Sequence, residues 1–165
     1  LTKRLIKPRE PEAAGDRWDP NDAIRIAAEL LRDRFPQGAP QLDLAALPLI
    51  DTAGSDILRI TMHLLLNAAE ATNPSLLDQV TVRTSSEGKS IRIEVANPGF
   101  TPVQTEDLFV PLRSKEDGRL GLGLSVCQAL VEMAGGTIEV GSHKGWTISV
   151  VVLPVWSRSS HPPRG

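Results

Sequence analysis

The chain has 165 residues, a formal net charge of -2 and 41% hydrophobic residues, which is enough for one globular domain with its own core. That charge does not point to nucleic acid or an acidic membrane surface, no apolar run approaches the ~20 residues that span a bilayer, and no signal peptide is visible. The single Cys127 has no internal disulfide partner, which suits a reducing, cytoplasmic setting.

Opening on Leu1-Thr2-Lys3 without Met, the sequence reads as the continuation of a longer protein, whose other parts can include a membrane segment. Residues 1–18 are charged and carry Pro8 and Pro11, as expected of a linker leaving a preceding helix. Asp19 is placed to cap a helix with Pro20 at its first position, and Ile24, Ala27, Ala28 and Leu31 recur at helical spacing up to Phe35. After the loop Pro36 to Pro40, Gln41 to Leu44 alternates as a short strand. A second helix is expected from Ser55 to Thr72, with Ile57, Leu58, Thr61, Leu64, Leu65, Ala68 and Thr72 on one side and His63, Asn67 and Glu70 on another.

Val80 to Thr84 and Ile91 to Val95 alternate across Ser85-Ser86-Glu87-Gly88-Lys89 as an antiparallel hairpin. Thr137 to Val140 and Trp146 to Leu153 repeat the pattern across Gly141 to Gly145, which makes His143 a turn residue. Between the hairpins, Asn97 to Arg119 is rich in turn formers and charge and long for a plain connection, as a lid would be. Val126 to Ala134 forms a third helix, whose Cys127 faces the core rather than acting as a reactive thiol. The fold class expected is α+β: a two-layer sandwich whose mixed, mostly antiparallel sheet is covered on one face by three helices. It occupies residues 19–155, and 156–165 form a disordered tail.

Gly121-Leu122-Gly123-Leu124-Ser125 is the stretch with most chemistry. Glycines at alternate positions remove the Cβ atoms that would keep backbone N–H groups from an anion, and the helix behind the turn directs its positive end there. Asn67, with its neutral carbonyl oxygen, suits a hard cation such as Mg2+ that bridges phosphate oxygens.

These residues carry a resemblance. The helix Leu64 to Ala71, the turn Val95-Ala96-Asn97-Pro98-Gly99, the segment Leu108 to Lys115 and the turn Gly121 to Ser125 resemble, in order and spacing, the N, G1, F and G2 boxes of the sensor histidine kinases. Ala134 to Val140 and Leu153-Pro154 extend the likeness, which covers residues 19–155. It implies the Bergerat ATP-binding fold shared with gyrase, the Hsp90 chaperones and MutL, with ATP and Mg2+ as cofactors. Asn67 is then the Mg2+ ligand and Glu70 a holder of metal-bound water. Gly121 and Gly123 let the backbone reach the phosphates, with Leu122 and Leu124 packing beneath the turn. Lys115 and Arg113 in the lid neutralise the terminal phosphate, Phe109 anchors the lid by packing, and Thr147 lies near the adenine.

Two positions depart from the pattern. Asn97 and Gly99 stand in the G1 box, but Asn97 replaces the Asp that accepts the adenine 6-amino proton, and Phe100 and Thr101 stand where a second glycine is common. An amide carries both a donor and an acceptor and can be turned to suit guanine, so weaker or less selective adenine binding is expected. His63 stands where the ATPase relatives carry a basic Glu and the kinases an Asn, and the lack of a carboxylate argues against efficient hydrolysis.

The resemblance implies an enzyme, a protein histidine kinase domain that transfers the ATP γ-phosphoryl group to a His on an absent upstream dimerisation domain. None of His63, His143 or His161 has the setting of a phosphoacceptor, so efficient autophosphorylation by the chain alone is not expected and no catalytic residue is assigned within it. Its partners would be ATP, that phosphoacceptor domain and a response regulator, in a full-length homodimer and without nucleic acid. Two other readings stay open: a degenerate docking module with weak or no nucleotide binding, and an anti-sigma-type serine kinase.

Overall fold

The computed structural model of the chain describes residues 17–36, 38, 40–99, 109–111 and 124–155. Asp19 caps α1 (Pro20–Leu30) as expected, accepting from Asn21 N at 2.9 Å, with Pro20 where its missing N–H costs nothing. Ala23, Ile24 and Ala27 form its buried face. The helix does not run to Phe35 in α geometry. Leu31 leaves it (φ -102, ψ 15), and a 3-10 turn at Arg32–Arg34 tightens the chain so that Phe35 enters the core.

β1 (Gln41–Asp43) leads by an irregular stretch to α2 (Gly54–Ala71), within a residue of the expected ends. Ile57, Ile60, Thr61, Leu64, Leu65 and Ala68 are its buried stripe, and Leu58 packs partly against the same core. A 3-10 turn at Pro74–Gln79, with Asn73 accepting from Ser75 N, connects to the first hairpin. Its strands β2 (Thr81–Glu87) and β3 (Ser90–Pro98) are longer than the alternation suggests, because Ser85, Ser86 and Glu87 continue the pairing opposite Arg92, Ile91 and Ser90. β4 (Phe109–Pro111) was expected only as part of a lid. It pairs with β5 (Thr137–His143), which follows α3 (Ser125–Met133) and turns into β6 (Trp146–Pro154). His143 is the last strand residue, not a turn residue. The turn is Lys144-Gly145, both at positive φ (50 and 87), as a two-residue hairpin turn with the sheet's twist requires.

The six strands form one sheet in the order β1-β2-β3-β6-β5-β4, parallel only between β1 and β2. α2 packs on β3 and α3 on β5, while α1 packs on α2, so three helices and a mostly antiparallel sheet make the expected two layers. Between them, Ile91, Ile93 and Val95 of β3 and Val151 and Leu153 of β6 meet Ile57, Ile60, Leu64 and Leu65. A buried polar link ties α1 to the sheet: Asn21 Nδ2 donates to Ala45 O, and Thr84 Oγ1 donates to Asn21 Oδ1 while accepting from Ala45 N. Residues 1–16 and 156–165, expected to be linker and tail, lie outside the described residues. Among the described residues no helix is long and apolar enough to cross a membrane.

Cys127 is fully buried, its Sγ 3.8 Å from Ile60 O, and burial pushes its thiol from 9.0 up to about 12. It is a core side chain, as the sequence suggests. The protonated form is favoured in the fold, so between pH 9 and 12 the unfolded chain releases a proton that the folded chain retains. Stability therefore falls as pH rises through that window. A chemical-denaturation series over pH 8.5–10.5 should show this slope in the native chain and a shallower one in Cys127→Ala, and thiol alkylation at pH 8 should be slow until the chain is unfolded. Equal slopes would remove Cys127 as the cause.

Candidate functional site

The helix-facing side of the sheet changes character along its length. At one end its cross-strand rows are apolar, with Ile93 opposite Val151 and Val151 opposite Ile138. At the other end one row runs Asn97, Thr147, Ser142 across β3, β6 and β5. All three are as buried as the core, Asn97 at 4% and Thr147 at 5% exposure, and Ser149 adds a further buried hydroxyl beside them. Buried polar side chains need partners, and here they concentrate where the strands β3 and β6 meet their loops.

The local bonding sets their orientation. Thr147 Oγ1 donates to Gly99 O at 2.7 Å, and Gly99 N donates to Gly145 O at 2.8 Å, so the segment after β3 is held against the β5-β6 turn. Gly99 has φ +106, a conformation that L side chains rarely adopt, and the place its Cβ would take is 3.9 Å from Ala71 O. The last turn of α2 therefore stands directly beside Gly99. Asn97 Nδ2 donates to Pro98 O at 2.9 Å. A carbonyl oxygen can only accept, so the nitrogen of the amide must be the end facing it, and Oδ1 is the end left to accept from elsewhere. The freedom to turn the amide, on which the expected loss of base selectivity depends, is thereby restricted.

Asn67 lies one helical turn before Ala71 and is half-buried, whereas Glu70 is exposed. The contact between Cys127 Sγ and Ile60 O fixes which side of α2 meets α3. Asn67, two turns beyond Ile60 and one before Ala71, is on that same side. His63, also half-buried, occupies the intervening step. Leu124 ends the glycine turn. It is buried, and it supplies no side-chain cap to α3, so the first N–H groups of that helix have no cap from their own flanking side chain. Gly121, Leu122, Gly123, Arg113 and Lys115 lie outside the described residues, and of Phe109 only the backbone pairing with Gly141 is described.

The structure thus brings together Asn97, Gly99 and Thr147, with Asn67 on the adjoining helix and Leu124 at the head of the next. Two residues were not singled out from sequence. Ser142 completes the polar row, and its only sequence signal is a hydroxyl at an inward position of an alternating strand. Gln128 is wholly buried on α3, donates from Nε2 to Glu132 Oε2 at 3.2 Å and leaves Oε1 without a partner among the described residues. A buried amide acceptor and a buried hydroxyl beside the end of α2 can hold the hydrogen-bonding edge of a ligand.

Residues 52–157 match the model of the histidine kinase-, DNA gyrase B- and HSP90-like ATPases. The C4-dicarboxylate transport sensor protein DctB of Rhizobium meliloti is 36% identical over 141 residues, covering 80% of this chain and 22% of its own. The sensory histidine kinase/phosphatase NtrB of Vibrio alginolyticus is 28% identical over 172 residues, covering 94% of this chain and 48% of its own. The chain therefore spans between about a fifth and about half the length of such relatives. Among solved structures, the catalytic domain of histidine kinase ThkA superposes with a TM-score of 0.67 at 17% identity, over 87% of this chain and 98% of that one. The same kinase in complex with the response regulator protein TrrA superposes with a TM-score of 0.65 at 17% identity, over 85% of this chain and 41% of the other. With a family match over most of its length and the fold of histidine kinase catalytic domains, this chain belongs to the histidine kinase-, DNA gyrase B- and HSP90-like ATPase family.

Proposed function

We propose that the chain is the ATP-binding catalytic domain of a sensor histidine kinase, handing the γ-phosphoryl group of ATP to a histidine on another domain of the same protein, from which a response regulator takes it. The observation that carries this reading is the adjacency of the polar row Asn97-Thr147-Ser142 to the last turn of α2, with Asn67 one turn away on the side facing α3.

In this reading Asn97 Oδ1 accepts from the adenine 6-amino group, while Thr147 and Gly99 shape the pocket floor. Asn67 Oδ1 holds Mg2+, an ion that prefers oxygen donors, and Glu70, exposed at the next turn, can hold one of its waters. When bound, that ion neutralises phosphate charge. Gly121 and Gly123 bring backbone N–H groups toward the phosphates at the head of α3, and Arg113 and Lys115 supply positive charge from the lid. Transfer of this kind depends on positioning and charge neutralisation, so the domain needs no nucleophile of its own. A histidine at position 63, in place of a carboxylate, fits transfer better than hydrolysis.

The test is to incubate the chain with Mg2+ and γ-labelled ATP, with and without the phosphoacceptor domain of its full-length protein. Acid-labile label on the acceptor alone is expected. Sustained phosphate release without the acceptor would point to an ATPase, and acid-stable label on a protein serine would favour the serine-kinase reading.

A further inference from the structure

His63 lies outside the buried stripe of α2, one turn before Asn67. On α2 the core stripe runs through Ile57, Ile60, Thr61, Leu64, Leu65 and Ala68. His63 is off that stripe and half-buried. Two contacts mark its side of the helix: Ile60 O meets Cys127 Sγ of α3, and Ala71 O approaches the Cβ direction of Gly99. Steps of three, four and four residues lead from Ile60 through His63 and Asn67 to Ala71, so His63 and Asn67 lie along the edge of the core stripe on the side of α2 that runs from the Cys127 contact to Gly99. Among the described residues neither the His63 ring nor the Asn67 amide has a hydrogen-bonding partner.

Four residues apart on a helix, two side chains stand about 5–6 Å apart at Cβ and can reach one cation between them. This is the spacing by which paired histidines on a helix hold a metal. His63 and Asn67 offer one imidazole nitrogen and one amide oxygen. Mg2+ makes little use of the nitrogen, because it retains oxygen ligands and water. Divalent transition cations bind imidazole well.

We propose that His63 and Asn67 form a two-residue chelate on α2 that admits a divalent transition cation together with the nucleotide, in preference to Mg2+. This rests on the nucleotide-binding reading above and adds to it the class of cation. The ring nitrogen and Asn67 Oδ1 then occupy neighbouring positions around the ion, and phosphate oxygens and water complete them. Mg2+ enters through the oxygen ligand alone, and binds the same complex less tightly.

The experiment is calorimetric titration with a non-hydrolysable ATP analogue in Mg2+, Mn2+ or Co2+, for the native chain, His63→Asn and His63→Ala, with thermal melting of each variant to establish folding. The native chain should bind the Co2+ complex about tenfold more tightly than the Mg2+ complex, and the ratio should collapse toward unity in both variants. The visible absorption of Co2+ supplies a second readout: the change on forming the ternary complex should be larger in the native chain than in the folded variants. Equal ratios and equal spectra in native and variant proteins would overturn the chelate while leaving nucleotide binding in place. Absence of binding with every cation would instead remove the nucleotide reading itself, and the chelate with it.

Discussion

Asn67→Ala should weaken binding of the Mg2+ complex of an ATP analogue by at least about tenfold, the scale on which ligand-sphere changes act at metal sites, and should abolish the difference between titrations with Mg2+ and with a chelator present. Asn67 is half-buried on the flank of α2 that leads from the Ile60–Cys127 contact to the Gly99 turn, at the edge of the apolar stripe. Its loss therefore removes an oxygen donor without opening a cavity in the core, and the melting temperature of the free chain should stay close to native. A parallel loss of stability and affinity would mean that Asn67 is a packing residue. An unchanged Mg2+ dependence would place the cation elsewhere.

Gly136→Ala should destabilise the fold by about 3 kcal/mol, the largest single-site effect on stability expected here. Gly136 sits between α3 and β5, and its N–H donates to Val131 O at 2.9 Å, closing the end of the helix. A Cβ there would lie 2.2 Å from Val152 O and 2.9 Å from Leu153 Cδ2. The first contact is with backbone in the middle of β6, which cannot yield without disturbing its pairing with both β3 and β5. Strand and helix would have to separate, or the sheet to bend. In a chain of this size, the cost corresponds to a melting temperature lower by roughly 6–12 °C. A variant melting within a degree or two of native would show that the α3-β5 junction has more room than the geometry indicates.

Much of the fold was legible because the chain signals it locally. Asp19-Pro20 names the start of α1, the spacing of Ile57, Leu64, Leu65 and Ala68 names α2, and alternation names β3 and β6. What sequence left indistinct were the ends of the hairpins. Ser85, Ser86 and Glu87 have turn-like composition, yet they pair because their partners Arg92, Ile91 and Ser90 are already in register. β4 depends on the edge of β5 for its conformation, so no local pattern could mark it. The end of α1 is a related case: Arg32 to Arg34 keep a helical composition, and only the need to bring Phe35 into the core tightens the turn.

For the site, the residue types were legible and their mutual bonding was not. The glycine spacing and Asn67 suggest phosphate and metal from chemistry alone, whereas the register of the last strand decides whether Thr147 belongs. Pairing with Asn97 places it in the same row, and its hydroxyl holds Gly99. The Asn97 amide was readable either way round until the Pro98 carbonyl selected its nitrogen. Ser142 enters the row only through a cross-strand pairing, which no linear spacing reveals.

The most direct test of the nucleotide site is a melting series with Mg2+ and either ATP, GTP or no nucleotide. Asn97 Oδ1, left as the acceptor, matches the adenine 6-amino donor and opposes the guanine O6 acceptor. ATP at about a hundred times its dissociation constant should stabilise the chain by ~2.7 kcal/mol, a rise of roughly 5–10 °C for a domain of this size, and GTP at the same concentration should raise it much less. No rise with either nucleotide, even at millimolar concentration, would contradict the account and leave the fold as a docking platform.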